Sequence, residues 1–140
     1  GHTPNAARHL LAKIRHAASI TMLVGMLRDK NVAAYLSTFD LPNVHLIYTH
    51  ARGDRALTAD ELLERYRPTQ ASVTLAPDLD RALADIRVTH GSLCVIAGSL
   101  RMAAAAREAF GLLARADLEE SRLTRAIFEG EEYQNKLKDD

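Results

Sequence analysis

The sequence holds 140 residues, 47% of them hydrophobic, and its 18 basic and 18 acidic side chains cancel to a formal net charge of zero. A chain of this size can bury one core without staples, and the neutral balance offers no global field for recruiting nucleic acid or an anionic membrane. The single cysteine, Cys94, excludes an intramolecular disulfide. No apolar run approaches the roughly 20 residues of a membrane-spanning helix, and no signal-peptide pattern precedes the first helix, so a cytoplasmic protein is expected. The initial glycine suggests a chain cut from something longer.

Thr3 and Pro4 form a helix start, a hydroxyl N-cap followed by proline where its missing N–H costs nothing. Ala7, Leu10, Leu11 and Ile14 supply the buried stripe of a helix from about Pro4 to His16. Ile20 to Val24 is an apolar run of the kind that forms a strand buried on both faces, and Gly25 is expected to turn the backbone sharply after it. Arg28, Asp29 and Lys30 then fall just past the carboxyl end of a parallel strand, where open α/β sheets bind ligands. Val32, Tyr35, Leu36 and Phe39 mark a helix from about Asn31 to Phe39, halted near Pro42.

Val44 to Thr49 is the second strand, followed by a polar loop from His50 to Leu57 around Gly53. Thr58-Ala59-Asp60-Glu61 matches the capping box and starts a helix ending near Tyr66. Ala71 to Leu75 alternates like a strand, Asp78 caps a helix with Leu79, Ala82, Leu83 and Ile86 inward, and Leu93 to Ala97 is the most apolar strand. Met102, Ala106, Ala109, Phe110 and Leu113 give a fifth helix. From Ala114 the chain becomes charged, with a weaker helical stripe of Ala116, Glu120, Leu123 and Ile127, an end at Gly130 and a frayed remainder.

Alternating strands and helices predict an α/β fold: a Rossmann-like three-layer domain over residues 1–113, its mostly parallel sheet flanked by helices, plus a helical, partly frayed tail over 114–140. Neither Gly25 nor Gly98 opens a G-x-G-x-x-G fingerprint, and no G-x-x-x-x-G-K-[ST] loop is present. Gly98-Ser99 at a helix start suits an anion or serves as a plain cap. His2, His9 and His16 recur every seven residues, but two helical turns separate the last two by about 10 Å, too far for one ion held at about 2 Å from each nitrogen. No metal site is expected. His9 and His16 read as solvated, and His45, His50 and His90 as surface or loop residues. Cys94 reads as a buried small hydrophobe. Arg55 can fork onto a carboxylate or serve as a solvated loop charge.

Four segments in order resemble the carboxy-terminal domain of the folylpolyglutamate and dihydrofolate synthases of the Mur ligase superfamily. Gly1-His2-Thr3-Pro4-Asn5 is similar to that family's Asp-x-x-His-Asn-Pro segment, with Thr3 in place of the usual Asn. Gly25-Met26-Leu27-Arg28-Asp29-Lys30 matches its Gly-Met-Leu-x-Asp-Lys, Arg55-Ala56 its Pro-Arg-Ala with Asp54 replacing Pro, and Val95-Ile96-Ala97-Gly98-Ser99-Leu100 its closing Val-x-x-Gly-Ser-Leu.

The resemblance implies an ATP-dependent amide ligase that adds glutamate to a folate through an acyl phosphate. ATP and Mg2+ would be bound mainly by an amino-terminal domain over which this one closes, and the fragment alone would be inactive. Carried over residue by residue, His2 and Lys30 are the catalytic candidates and Asp29, Arg55 and Ser99 the substrate-binding ones. The family's strand ahead of the position of Gly1 is missing from this chain, which would bare a sheet edge and favour self-association. A stand-alone binding module for a phosphorylated small molecule, another Mur-type ligase domain and a helical interaction module are the alternatives.

Overall fold

The computed structural model describes residues 3–51, 53–87, 93–97, 125–128 and 131–133. Helix α1 (Pro4–Ile14) starts as the sequence dictates, with Thr3 Oγ1 accepting from the Ala6 amide at 3.0 Å. It leads into β1 (Ile20–Val24), every residue of which is buried. Then follow α2 (Val32–Ser37), β2 (Val44–Tyr48), α3 (Ala59–Arg65), β3 (Ser72–Leu75), α4 (Leu79–Arg87) and β4 (Leu93–Ala97). Both halves of the capping box expected at Thr58 and Glu61 are formed. Among the described glycines the left-handed backbone lies at Gly53, with φ of 102°, and not at Gly25.

The sheet order is β3-β2-β1-β4-β5-β6, and the first four strands are parallel. One face carries Ala7, Leu10 and Ile14 of α1, Val32, Tyr35 and Leu36 of α2, and Ala59 and Leu62 of α3, all packed on Met22, Val24, Leu46, Tyr48 and Val95. The opposite face is covered by Leu79, Ala82 and Ile86 of α4 on Leu23, Ile47, Cys94 and Ile96. The result is the three-layer α/β arrangement predicted. Strand residues alternate between the two cores, as the two-residue period requires.

The tail departs from expectation. Arg125–Phe128 is a strand, β5, parallel to β4, and Glu131–Tyr133 is a strand, β6, antiparallel to β5. At Arg125–Phe128 the helical expectation fails, Ile127 included, and at Glu131–Tyr133 a strand stands where a frayed end was expected. Ala126-Ile127-Phe128 has the β-branched and aromatic content that fits a pleated ladder, and β4, apolar on both faces, needs a neighbour on its outer side. The expected fifth helix and the rest of the tail lie outside the described residues.

The frame is locked by a carboxylate that sequence patterning overlooks. Asp40, 8% exposed just past α2, accepts from Tyr66 Oη at 2.6 Å, from the Thr69, Gln70 and Ala71 amides at 2.8 Å each, and from Thr69 Oγ1 at 3.2 Å. Burial pushes its pKa up, but the bonds from Ala71, Tyr66, Thr69 and Gln70 more than offset that and hold it well below the usual carboxylate range. Tyr66 responds in the opposite sense: burial, followed by its bond to Asp40, pushes its hydroxyl up to about 12. Tyr48 completes the link by donating to the Tyr66 carbonyl at 3.0 Å.

Because the folded-state pKa of Asp40 is depressed, its contribution is present above the unfolded value and is lost as pH falls through the folded one. Thermal unfolding of the wild type should therefore weaken below about pH 4. Asp40→Asn should cost about 2–3 kcal/mol at neutral pH and flatten that acid limb. An unchanged acid limb in the variant would remove Asp40 from this role.

Candidate functional site

The carboxyl ends of β1, β2 and β4 are held level. Val24 is in register with both Tyr48 and Ala97, the Gly25 amide donates to the Ala97 carbonyl at 3.0 Å, and the Thr49 amide donates to the Val24 carbonyl at 2.9 Å. The loops after β1 and β2 therefore leave from one edge. They pair with each other beyond it, through an antiparallel bridge between Leu27 and Ala56, with the Arg28 amide donating to Arg55 O at 2.8 Å and the Leu57 amide to Met26 O at 2.9 Å. Met26, Ala56 and Leu57 anchor this short ladder by burial.

Backbone pairing of that kind brings charged side chains together. Arg55 Nη2 lies 3.3 Å from Asp29 Oδ2, with 73% and 53% of the two side chains exposed. Lys30 follows directly, exposed, and no carboxylate among the described residues pairs with it. Of the residues singled out from sequence, Asp29, Lys30 and Arg55 thus share one rim. His2 and Ser99 lie outside the described residues.

Arg28 pairs with α3 instead. Its Nη1 is 2.8 Å from Glu61 Oε2 and its Nη2 3.1 Å from Glu61 Oε1, a bidentate fork. Glu61 Oε1 also accepts from the Thr58 amide at 3.0 Å, so one carboxylate caps α3 and ties the β1 loop to it. Hydrogen bonding from Arg28, followed by that from Thr58, lowers the Glu61 pKa to about 2. Arg65 adds a second tie from α3, donating to the Arg28 carbonyl at 3.1 Å. The capping box was legible in sequence, but it accounted for Glu61 so completely that its second partner, 33 residues away, gave no signal.

Of the other histidines, His50 lies in the loop after β2, as expected, and His90 lies outside the described residues. His9 and His16 are exposed on or beside α1, as expected. His45 lies within β2 rather than in a loop and is half-buried, with Nδ1 2.6 Å from Ser72 Oγ and Nε2 2.8 Å from Thr74 Oγ1, and desolvation lowers its pKa. Cys94 is fully buried, which pushes its thiol up to about 12 and makes it a packing residue. Thr49 Oγ1, one residue past β2, is buried without a hydrogen-bond partner among the described residues, an unused polar group at the base of the rim.

The rim has the chemistry of an oxyanion surface. Among the described residues no three His, Cys, Asp or Glu side chains converge as metal ligands. Lys30 and Arg55 offer a point charge and a planar fork to phosphate or carboxylate oxygens, and Asp29 supplies the local counter-charge. Glu61→Gln separates the two duties of Glu61, because Gln still serves as a capping residue while the ionic fork is lost. The variant should retain its melting temperature, and exchange of the Arg28 and Leu57 amides should accelerate. In the wild type the fork should persist down the pH scale until Glu61 protonates near its lowered pKa. Unchanged exchange at both amides in the variant would show that the loops hold without it.

A family model described as the Mur ligase glutamate ligase domain matches residues 1–100. Among solved structures the chain is similar to the Mycobacterium tuberculosis folylpolyglutamate synthase complexed with ADP, at 27% identity and a TM-score of 0.61, over 79% of this chain and 28% of that one. It is also similar to the bifunctional folylpolyglutamate synthase/dihydrofolate synthase of Yersinia pestis complexed with AMPPNP and Mn ion, at 24% identity and a TM-score of 0.64 over 79% and 27% of the respective chains. E. coli FolC in complex with DHPP and ADP matches at 22% identity and a TM-score of 0.63, over 82% and 28%. The chain thus spans little more than a quarter of the length of these structures. A search of curated proteins finds no match. With its four-stranded parallel core, its rim motif and a family match over residues 1–100, the chain belongs to the Mur ligase family as a glutamate ligase domain.

Proposed function

We propose that this chain is the carboxy-terminal domain of a cytoplasmic, ATP-dependent ligase that adds glutamate to a folate, and that its rim closes over a nucleotide held mainly by an amino-terminal domain. The observation that carries the reading is the Asp29–Arg55 pair just past the carboxyl ends of β1 and β2, with exposed Lys30 next in the chain, in a member of the glutamate ligase domain family. Three of the similar structures were solved with AMPPNP and Mn ion, with ADP, and with DHPP and ADP. Those ligands motivate ATP with Mg2+ as cofactor and a folate as substrate here.

ATP supplies the phosphoryl group that activates the folate carboxylate for attack by the amine of glutamate. The described rim fits phosphate and carboxylate oxygens, and it lacks the glycine loop that cradles a nucleotide. The chain's own contribution is therefore positional. Lys30 places a compact positive charge where phosphate charge develops. Arg55 holds a substrate carboxylate through its fork, and Asp29 orients Arg55 until that carboxylate arrives. His2 and Ser99 are assigned to the same cleft by the motifs they match, His2 with Lys30 as catalytic residues and Ser99 with Asp29 and Arg55 as substrate-binding ones. Closing the rim over the nucleotide keeps water from a hydrolysable intermediate.

Two measurements test the reading. Calorimetry of the 140-residue chain with Mg-ATP should show no binding in the micromolar range and no hydrolysis; tight binding would move the nucleotide site into this domain. In the two-domain ligase, Lys30→Ala should lower turnover by about 100-fold with little change in melting temperature, since an exposed loop lysine contributes little packing. Normal turnover would return Lys30 to the status of a solvated charge.

A further inference from the structure

The helices on the two faces reveal which sheet position belongs to a strand entering α1. The steps β1-α2-β2 and β2-α3-β3 both run from the β4 side toward β3, with their helices on the Met22 and Leu46 face. The step β3-α4-β4 runs the opposite way, with its helix on the opposite face. All three crossovers therefore share one hand, as parallel β-α-β connections almost always do. Helix α1 lies on the same face as α2 and α3 and packs beside α2. A parallel strand feeding α1 must then step in the same direction as β1 to β2, so it must start on the β4 side of β1. The slot next to β1 is already filled by β4. The first position left is the outer edge of β4.

That position is the one β5 holds, with Leu93 in register with Arg125, Cys94 with Ala126, Val95 with Ile127 and Ile96 with Phe128, all parallel. It cannot be left empty at low cost, because every residue of β4 is buried and the polar groups along its outer backbone edge need partners. We infer that residues Arg125–Phe128 occupy the sheet position that the fold reserves for a strand entering α1, so that the two segments are alternative occupants of one edge. The carboxy-terminal segment is a strand-exchange cover: it completes the sheet when the upstream strand is not there and is displaced when it is. Only the existence of that upstream strand rests on reading the chain as part of a longer ligase.

Residue-resolved amide exchange distinguishes the two occupants. In the 140-residue chain the amides of Arg125–Phe128 should exchange about 100-fold or more slowly than those of an unstructured peptide. In a chain extended by the ten or so residues encoded ahead of Gly1, enough for one strand, that protection should disappear and pass to the added residues. Ile127→Pro, which breaks the β5 ladder, should lower the melting temperature or cause self-association by sedimentation in the shorter chain, and should leave the longer one unchanged. Fast exchange at Arg125–Phe128 in the shorter chain, or equal protection in both chains, would overturn the inference. If the proline variant of the shorter chain does not fold, the exchange data on the unmutated chains still decide. Ligase turnover plays no part in these readouts, so the functional proposal and this one can fail separately.

Discussion

The level pairing of β1 with β2 on one side and β4 on the other is the constraint on which the rest of the molecule depends. A parallel ladder fixes where each strand stops relative to its neighbours, and here Val24, Tyr48 and Ala97 stop together. The loops that follow β1 and β2 have no other direction in which to go. Their backbone bridge between Leu27 and Ala56 is a continuation of strand geometry past the sheet, and it sets Arg55 against Asp29 even though 26 residues separate them. The exposed charges of the rim owe their arrangement to buried, uncharged backbone hydrogen bonds.

Two carboxylates held below their ordinary range show how the frame and the rim are stabilised differently. Asp40 is buried and satisfied by five donors from the connection between α3 and β3, so its charge is inseparable from the fold. Glu61 is depressed by one guanidinium and one helix cap at a partly exposed site, where salt and solvent screen the pair. Above the acid range the Asp40 tie is thus less exposed to screening by salt and solvent than the hold of α3 on the β1 loop.

The sheet edge obeys the same economy of backbone partners. The family resemblance led to the expectation of a bare sheet edge and self-association, at the place of the family's strand ahead of the position of Gly1. The chain covers the edge beside β4 with β5 and then doubles back through β6. At the opposite side β3 is the outermost strand, short and lined by Ser72 and Thr74, with Leu75 as the exposed large hydrophobic among the described residues. Short polar edges of that kind resist pairing with other chains.

The sequence by itself determined the elements whose causes are local. The Thr3-Pro4 start, the capping box at Thr58, the buried apolar runs of β1 and β4 and the stripe of α4 were all legible, since each rests on neighbours within one or two turns or on two-residue alternation. Rim membership of Asp29, Lys30 and Arg55 was legible too, because a parallel sheet sends every such loop to the same edge. What only the tertiary structure decided were pairings between distant segments: Glu61 with Arg28, Asp40 with residues 69–71, His45 with Ser72 and Thr74, and Arg125–Phe128 with β4. In each case the local sequence pattern gave no sign of the distant partner. That partner arrives through chain reversal, and the free energy that selects it, burial together with the need to satisfy every polar group, exists only once the layers have closed.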